Sequence, residues 1–173
     1  MFMYTSSSSS NKPKTPPAKL IKDCAIQLHN TQDLDALLSN IDSHKVKVVM
    51  IGEASHGTHD FYQMRAELTK RLIMEKGFNI VAVEADWPDT YRVNRYVKNM
   101  SPTGTGDKSA IESLGNYGRF PRWMWRNLVV VQFIEWLRQY NDIHYVPTSS
   151  SSSSSASASH HMKRKVGFYG LDM

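Results

Sequence analysis

The chain of 173 residues lacks several features that usually declare a function. It has a single cysteine, Cys24, so no disulfide can close within it and no cysteine-rich zinc site can be built. No apolar run approaches the ~20 residues that a membrane-spanning helix needs, and no membrane partner is expected. The opening MFMYTSSSSS has no basic segment followed by a long apolar one, so it does not read as a secretory signal. A reducing, cytoplasmic location is the resulting expectation. Charge of one sign is not abundant either. The net charge of +5 is carried largely by Lys12, Lys14, Lys19, Lys22 and the run Lys163, Arg164, Lys165. These residues are not interleaved with aromatics on one face, which argues against a nucleic-acid partner.

Apolar residues are also scarce in two tracts. Residues 1–18 are rich in Ser, Pro and Lys, and residues 148–159 are almost all serine. Neither can bury enough apolar surface to offset the entropy of ordering it. Residues 1–18 are therefore expected to be a disordered tail. Residues 19–173 are expected to be part of one α/β domain, with a low-complexity serine insertion at 148–159 in a surface connection, where added length costs little.

What remains is strongly patterned. Thr31 reads as a helix N-cap, with Leu34, Leu37, Leu38 and Ile41 at helical spacing behind it. Val46 to Ile51 is a nearly continuous apolar run, as in a buried parallel strand. Phe61, Met64, Leu68 and Leu72 mark one face of a helix that starts near Thr58 and ends near Gly77. Ile80 to Val83 is a second strand ending at Glu84, and a helix is predicted from about Asp89 to Lys98. Residues 99–122 read as a long loop. Trp125, Val129, Phe133, Trp136 and Tyr140 form the stripe of a third helix, with Trp123, Trp125 and Trp136 expected to be largely buried. Val166, Phe168 and Tyr169 make a third strand that runs into Gly170, Leu171 and Asp172. Strands alternating with helices predict an α/β fold with a parallel sheet. Ending at Met173, just past a strand, the chain reads as an incomplete domain.

The stretch MIGEASHGTHDF, residues 50–61, concentrates titratable chemistry on one turn. In open α/β sheets, ligands sit beyond the carboxyl ends of the strands. Glu53 follows the first expected strand and Glu84 ends the second. Neighbouring strands would bring both carboxylates to one rim, with His56 between them. A histidine so placed can take a proton from water while a carboxylate orients its imidazole. Arg65 lies nine residues after His56, ~13 Å along an ideal helix. Its side chain leans back toward the helix N-terminus, within reach of a carboxylate or oxyanion. Two rivals share the stretch. Ser55 sits in a sequence close to the Gly-x-Ser-x-Gly nucleophile elbow, but Glu53 occupies the place of the first glycine. His56 and His59, joined by Glu53, Asp60 or Glu84, could hold a metal, although the spacing is not His-Glu-x-x-His.

Four blocks carry a resemblance: GEASHGTHDFYQMRAELTKRLI, VAVEADWPDTYRVNRYV, GRFPRWMWRNLVVVQFIEWLR and VGFYGLDM. In this order they resemble the erythromycin esterase family over most of residues 33–173, the serine tract excepted. The resemblance implies a three-layer α/β/α fold and a hydrolase that opens esters, including the lactone of a macrolide, as in antibiotic inactivation. It implies a small-molecule ester or lactone substrate and water activated by histidine, with no serine acyl-enzyme and no metal or other cofactor. The family's functional positions fall on His56 as base, Glu53 and Glu84 as positioning and polarising carboxylates, and Arg65 as a steadying cation. The family domain is longer and supplies a further histidine from a region not present here. The alternatives carried forward are a truncated non-catalytic family member and a metal- or haem-binding module on the same scaffold.

Overall fold

A computed structural model describes residues 16–25, 27–100, 106–119, 121–145 and 164–171. Residues 1–15, the serine tract at 148–159 and Asp172 lie outside the described residues, so the expectations made for them stand as made.

Helix α1, Pro17–Cys24, opens with Pro17 at its first position, where the missing N–H has no intrahelical partner to lose. Two residues assigned to the tail, Pro17 and Ala18, are therefore helical. The cap of the next segment is Asn30 rather than Thr31. Its side chain accepts from Gln32 and Asp33 N–H, and Asp33 reaches back to the Asn30 N–H, closing a capping box. A single 3₁₀ turn then leads into α2, Leu34–Ser39.

Among the described residues Val46 to Ile51 forms no strand and joins no sheet, which corrects the expected first strand. Val46, Val49 and Ile51 pack toward Leu34, Leu38, Leu68 and Leu72, while Val48 and Met50 are 73% and 77% exposed. An apolar run specifies that residues seek burial, not which backbone edge they bond. Here the inward side chains are taken up by α2 and α3. A cavity of about 970 Å³ lies between this segment and the next strand.

Helix α3, His59–Lys76, starts behind Thr58 in extended conformation and ends at Gly77, whose φ of 74° is the left-handed conformation glycine adopts without strain. Strand β1, Ile80–Glu84, follows directly. Helix α4, Trp87–Val97, leads to α5, Ala110–Ser113, inside the stretch read as loop. Ser109 caps α5 by accepting the Glu112 N–H, a side-chain bond that can start a helix in a sequence of low overall propensity. Helix α6, Leu128–His144, is capped by Asn127, and β2, Gly167–Leu171, completes the described elements.

β1 and β2 pair in parallel, Ile80 with Gly167 through Glu84 with Leu171. Val81, Val83 and Phe168 point to one face, where Tyr62 and Ile73 of α3, Val93 and Val97 of α4, and Phe133 and Ile134 of α6 cover them. Among the described residues this is a mixed α/β unit with a two-stranded parallel sheet. None of its helices is long and apolar enough to cross a membrane.

Polar side chains hold β2 in place. Asn141, on α6 and almost fully buried, donates to Val97 O and Val166 O at 2.8 and 2.9 Å and accepts the Val166 N–H at 2.7 Å. Asn94 accepts the Phe168 N–H at 3.0 Å. A Cβ on Gly170 would stand 2.5 Å from Ala85 O and 2.7 Å from Thr90 Oγ1, so glycine lets β2 end against the turn after β1. The tryptophans are less buried than expected. Trp125 and Trp136 are half-buried, and Trp123 is 46% exposed because it sits in the 3₁₀ turn Arg122–Met124, ahead of the helix rather than on it.

Asn141→Ala strands three buried backbone groups, and a loss of about 3 kcal/mol in denaturant unfolding is expected. Tyr117 provides a pH test. Burial pushes its phenol up to about 12, while its hydroxyl donates to Thr90 Oγ1 at 2.9 Å. The folded value lies above the unfolded one, so the stabilisation is complete below about pH 10 and lost as pH rises through about 12. Equilibrium unfolding across that window should show the decline, and Tyr117→Phe should flatten it.

Candidate active site

The turn between the Val46–Ile51 segment and α3 folds back on itself around one carboxylate. The Glu53 side chain is 7% exposed. His56 Nδ1 lies 2.5 Å from Glu53 Oε1, and Arg65 Nη1 lies 2.9 Å from Oε2. The second contact is an ion pair rather than an aligned hydrogen bond. Arg65 projects from the second turn of α3 toward the helix start, as its direction on the helix predicts. Gly57 makes the reversal possible in two ways. Its φ is 86°, and the Trp123 ring lies 3.1 Å from where a Cβ would stand.

Glu84 emerges at the carboxyl end of β1 and is exposed. It lines the 970 Å³ cavity together with Glu53, His56 and Arg65, but no hydrogen bond or ion pair joins it to them among the described residues. The structure thus brings three of the four expected residues into contact and places the fourth on the wall of the same cavity. Glu84 also borders a cavity of about 220 Å³ with Asp86, Asp89 and Arg119. Arg119 Nη1 pairs there with Asp86 at 2.9 Å, and burial, reinforced by Asp86, pushes the Asp89 carboxyl up.

Ser55 is turned to the helix start, its Oγ 3.2 Å from Thr58 Oγ1, with no hydrogen bond to His56. That arrangement gives the serine no base. His59 is exposed at the first position of α3, and no group of three or more histidine, cysteine or acidic side chains able to hold a metal occurs among the described residues.

Two residues of the site carry no weight in a reading of the sequence. Tyr62 is 5% exposed and lines both the large cavity and a second one of about 420 Å³, shared with His56, His59, Trp123 and Asn127. The Arg65 guanidinium lies 4.7 Å from its ring centroid, a cation–π contact set by the i,i+3 spacing on α3. That spacing was the available signal. Burial, helped by the Glu53 charge, pushes the Tyr62 phenol up. Trp123 approaches Gly57 from a segment distant in the chain, and nothing local marks it.

Chemically, Glu53 holds the Nδ1 side of the imidazole, which leaves Nε2 as the side able to accept a proton. Arg65 sets a cation beside the Glu53 carboxyl, where solvent reaches it poorly.

Residues 73–173, more than half of the chain, match the family described as erythromycin esterase. This match contains Glu84 and begins after Arg65. Two solved structures are similar. One, a succinoglycan biosynthesis protein, is 25% identical with a TM-score of 0.58, covering 89% of this chain and 33% of its own. The other, a protein from Bacillus cereus, is 23% identical with a TM-score of 0.52, covering 90% and 32%, and speaks to the fold alone. The chain therefore spans about a third of the length of the structures it matches.

Removing Arg65 should leave a buried carboxylate uncompensated. Arg65→Met is expected to lower unfolding stability by about 2–3 kcal/mol, below the range for a fully enclosed pair because part of the arginine reaches solvent. Glu53→Gln combined with Arg65→Met should recover part of that loss, as a double-mutant cycle would record.

Proposed function

Because the chain belongs to the erythromycin esterase family, we propose that the Gly52–Thr58 turn is the acid–base centre of an ester hydrolase. The observation that carries the proposal is the contact of His56 Nδ1 with a buried carboxylate at 2.5 Å, itself paired with Arg65. His56 Nε2 takes a proton from water, and the resulting hydroxide attacks the ester carbonyl carbon. The tetrahedral intermediate collapses, the carbon–oxygen bond to the alcohol breaks, and His56 returns the proton to the leaving oxygen. Glu53 keeps the ring oriented and offsets the imidazolium charge during the step. Glu84, on the wall of the same cavity, orients the water or the reacting group.

The substrate is a small-molecule ester. The large cavity has apolar walls from Val49, Ile51, Val83, Phe133 and Phe168, which suits a bulky apolar acyl portion such as a macrolide lactone. The solved relative named for succinoglycan biosynthesis carries a different description. Ester hydrolysis is therefore the core of the proposal, and the macrolide is one arm of its test. The three-layer α/β/α arrangement belongs to the same reading. It is supported by the sheet face opposite the helices, where Ile80, Tyr169 and Leu171 are exposed. A cytoplasmic location is also part of it, in keeping with Cys24 as a free, exposed thiol.

The test is hydrolysis of an activated aryl ester and a macrolide lactone by the full chain. His56→Ala is expected to lower kcat by about 10²–10⁴, and Ser55→Ala to leave it unchanged. Loss of turnover with the serine change but not with the histidine change overturns the assignment. So does wild-type turnover no greater than that of His56→Ala on both substrates.

A further inference from the structure

His56 stands where two cavities meet. It lines the cavity of about 970 Å³ and also the one of about 420 Å³, a position it shares with Tyr62 and Val129. The two cavities differ in charge. Lys47, Arg65 and Lys76 line the larger one against Glu53 and Glu84, whereas among the described residues no lysine, arginine or acidic side chain lines the smaller. Hydrolysis divides an ester into halves that differ in the same way. Water adds its oxygen to the acyl carbon, the bond to the alcohol oxygen breaks, the acyl half ionises to a carboxylate and the alcohol leaves neutral. A carboxylate is favoured beside an excess of cations, and a neutral apolar group has nothing to gain there.

The wall of the smaller cavity narrows the kind of alcohol. Trp123 is 46% exposed and Leu128 is 68% exposed, so the fold leaves apolar surface uncovered at this place. Asn127 adds little polarity. Its amide oxygen accepts the Val130 N–H, and its nitrogen donates to Trp123 O and Met124 O. The Trp123 ring is also tied to the base, because it rests against Gly57, next to His56 in the chain. A ring laid on Trp123 would therefore lie beside the residue that carries the chemistry. His59 lines the smaller cavity and not the larger one, which makes its imidazole a reporter of occupancy.

We propose that the smaller cavity is the alcohol subsite of the ester hydrolase and selects an alcohol bearing an aromatic ring, held against Trp123 and Leu128, while the acyl half lies in the larger cavity. The subsite rests on the hydrolase reading for its purpose, but its occupancy can be read without turnover.

Binding is measured first, by proton NMR of the histidine rings of the full chain, with His56→Gln and His59→Gln assigning the signals. Phenylethyl alcohol is expected to move the His56 and His59 resonances saturably, and propanol to leave them in place. Trp123→Ala should weaken that binding by about tenfold. Leu128→Ser should act in the same direction, and its largely exposed side chain keeps the test open if Trp123→Ala does not fold. Phenylethyl alcohol that moves neither resonance, or that binds both variants as tightly as the wild type, overturns the subsite. Kinetics then assign the halves. At a fixed acetyl group, kcat/KM should favour the phenylethyl ester over the ethyl ester by about tenfold or more, and the variants should erase that preference. At a fixed ethyl group, the preference between phenylacetyl and acetyl should not change. A variant that alters the acyl preference and not the alcohol preference overturns the assignment. A chain that turns over no ester overturns the hydrolase reading, while the resonances still decide whether the cavity takes a ring-bearing alcohol.

Discussion

A buried carboxylate must be compensated, and the organisation of the site follows from how Glu53 meets that requirement. One oxygen takes the His56 imidazole and the other takes Arg65. Each partner comes from a different part of the turn–helix unit, so satisfying Glu53 also fixes the angle at which α3 leaves the turn. Gly57 is needed for the same reason. Its positive φ is strained for any residue with a side chain, and a Cβ there would crowd Trp123, so glycine lets His56 and α3 close on Glu53 together.

The other end of the sheet is held by neutral groups. Asn141 and Asn94 bond the backbone entering and leading through β2, in a region where apolar packing alone would permit the strand to slide. Gly170 then admits the strand end against the Ala85–Thr90 turn. These contacts set the carboxyl ends of β1 and β2 level with each other, and the Glu84 carboxylate consequently opens into the cavity that Glu53 and His56 also face. Ionic compensation shapes one wall of the cleft and amide hydrogen bonds shape the other.

Much of the fold is legible along the chain where a single helix or strand face repeats. The helix His59–Lys76, the strand ending at Glu84 and the strand around Phe168 follow from spacing and stop signals that act within a few residues. Val46–Ile51 was misread because its apolar residues demand burial without naming a partner, and α2 and α3 supply it in place of a neighbouring strand. Helix α5 was missed because one serine cap outweighs a weak local propensity. Trp125 was placed on the third helix, whereas it closes the 3₁₀ turn Arg122–Met124 ahead of α6, because an aromatic stripe extends past the end of the helix that it marks.

By itself the sequence determined that a carboxylate, an imidazole and a guanidinium would share one turn and the helix behind it. Their spacing is local, and side-chain direction on a helix is dictated by backbone geometry. Only the tertiary structure decided that Tyr62 and Trp123 join them, that Ser55 faces the helix start, and that Glu84 looks across a cavity instead of touching His56. Those outcomes depend on how close separate elements approach, and that distance is set by the packing of the core and by buried polar groups seeking partners, which no local pattern encodes.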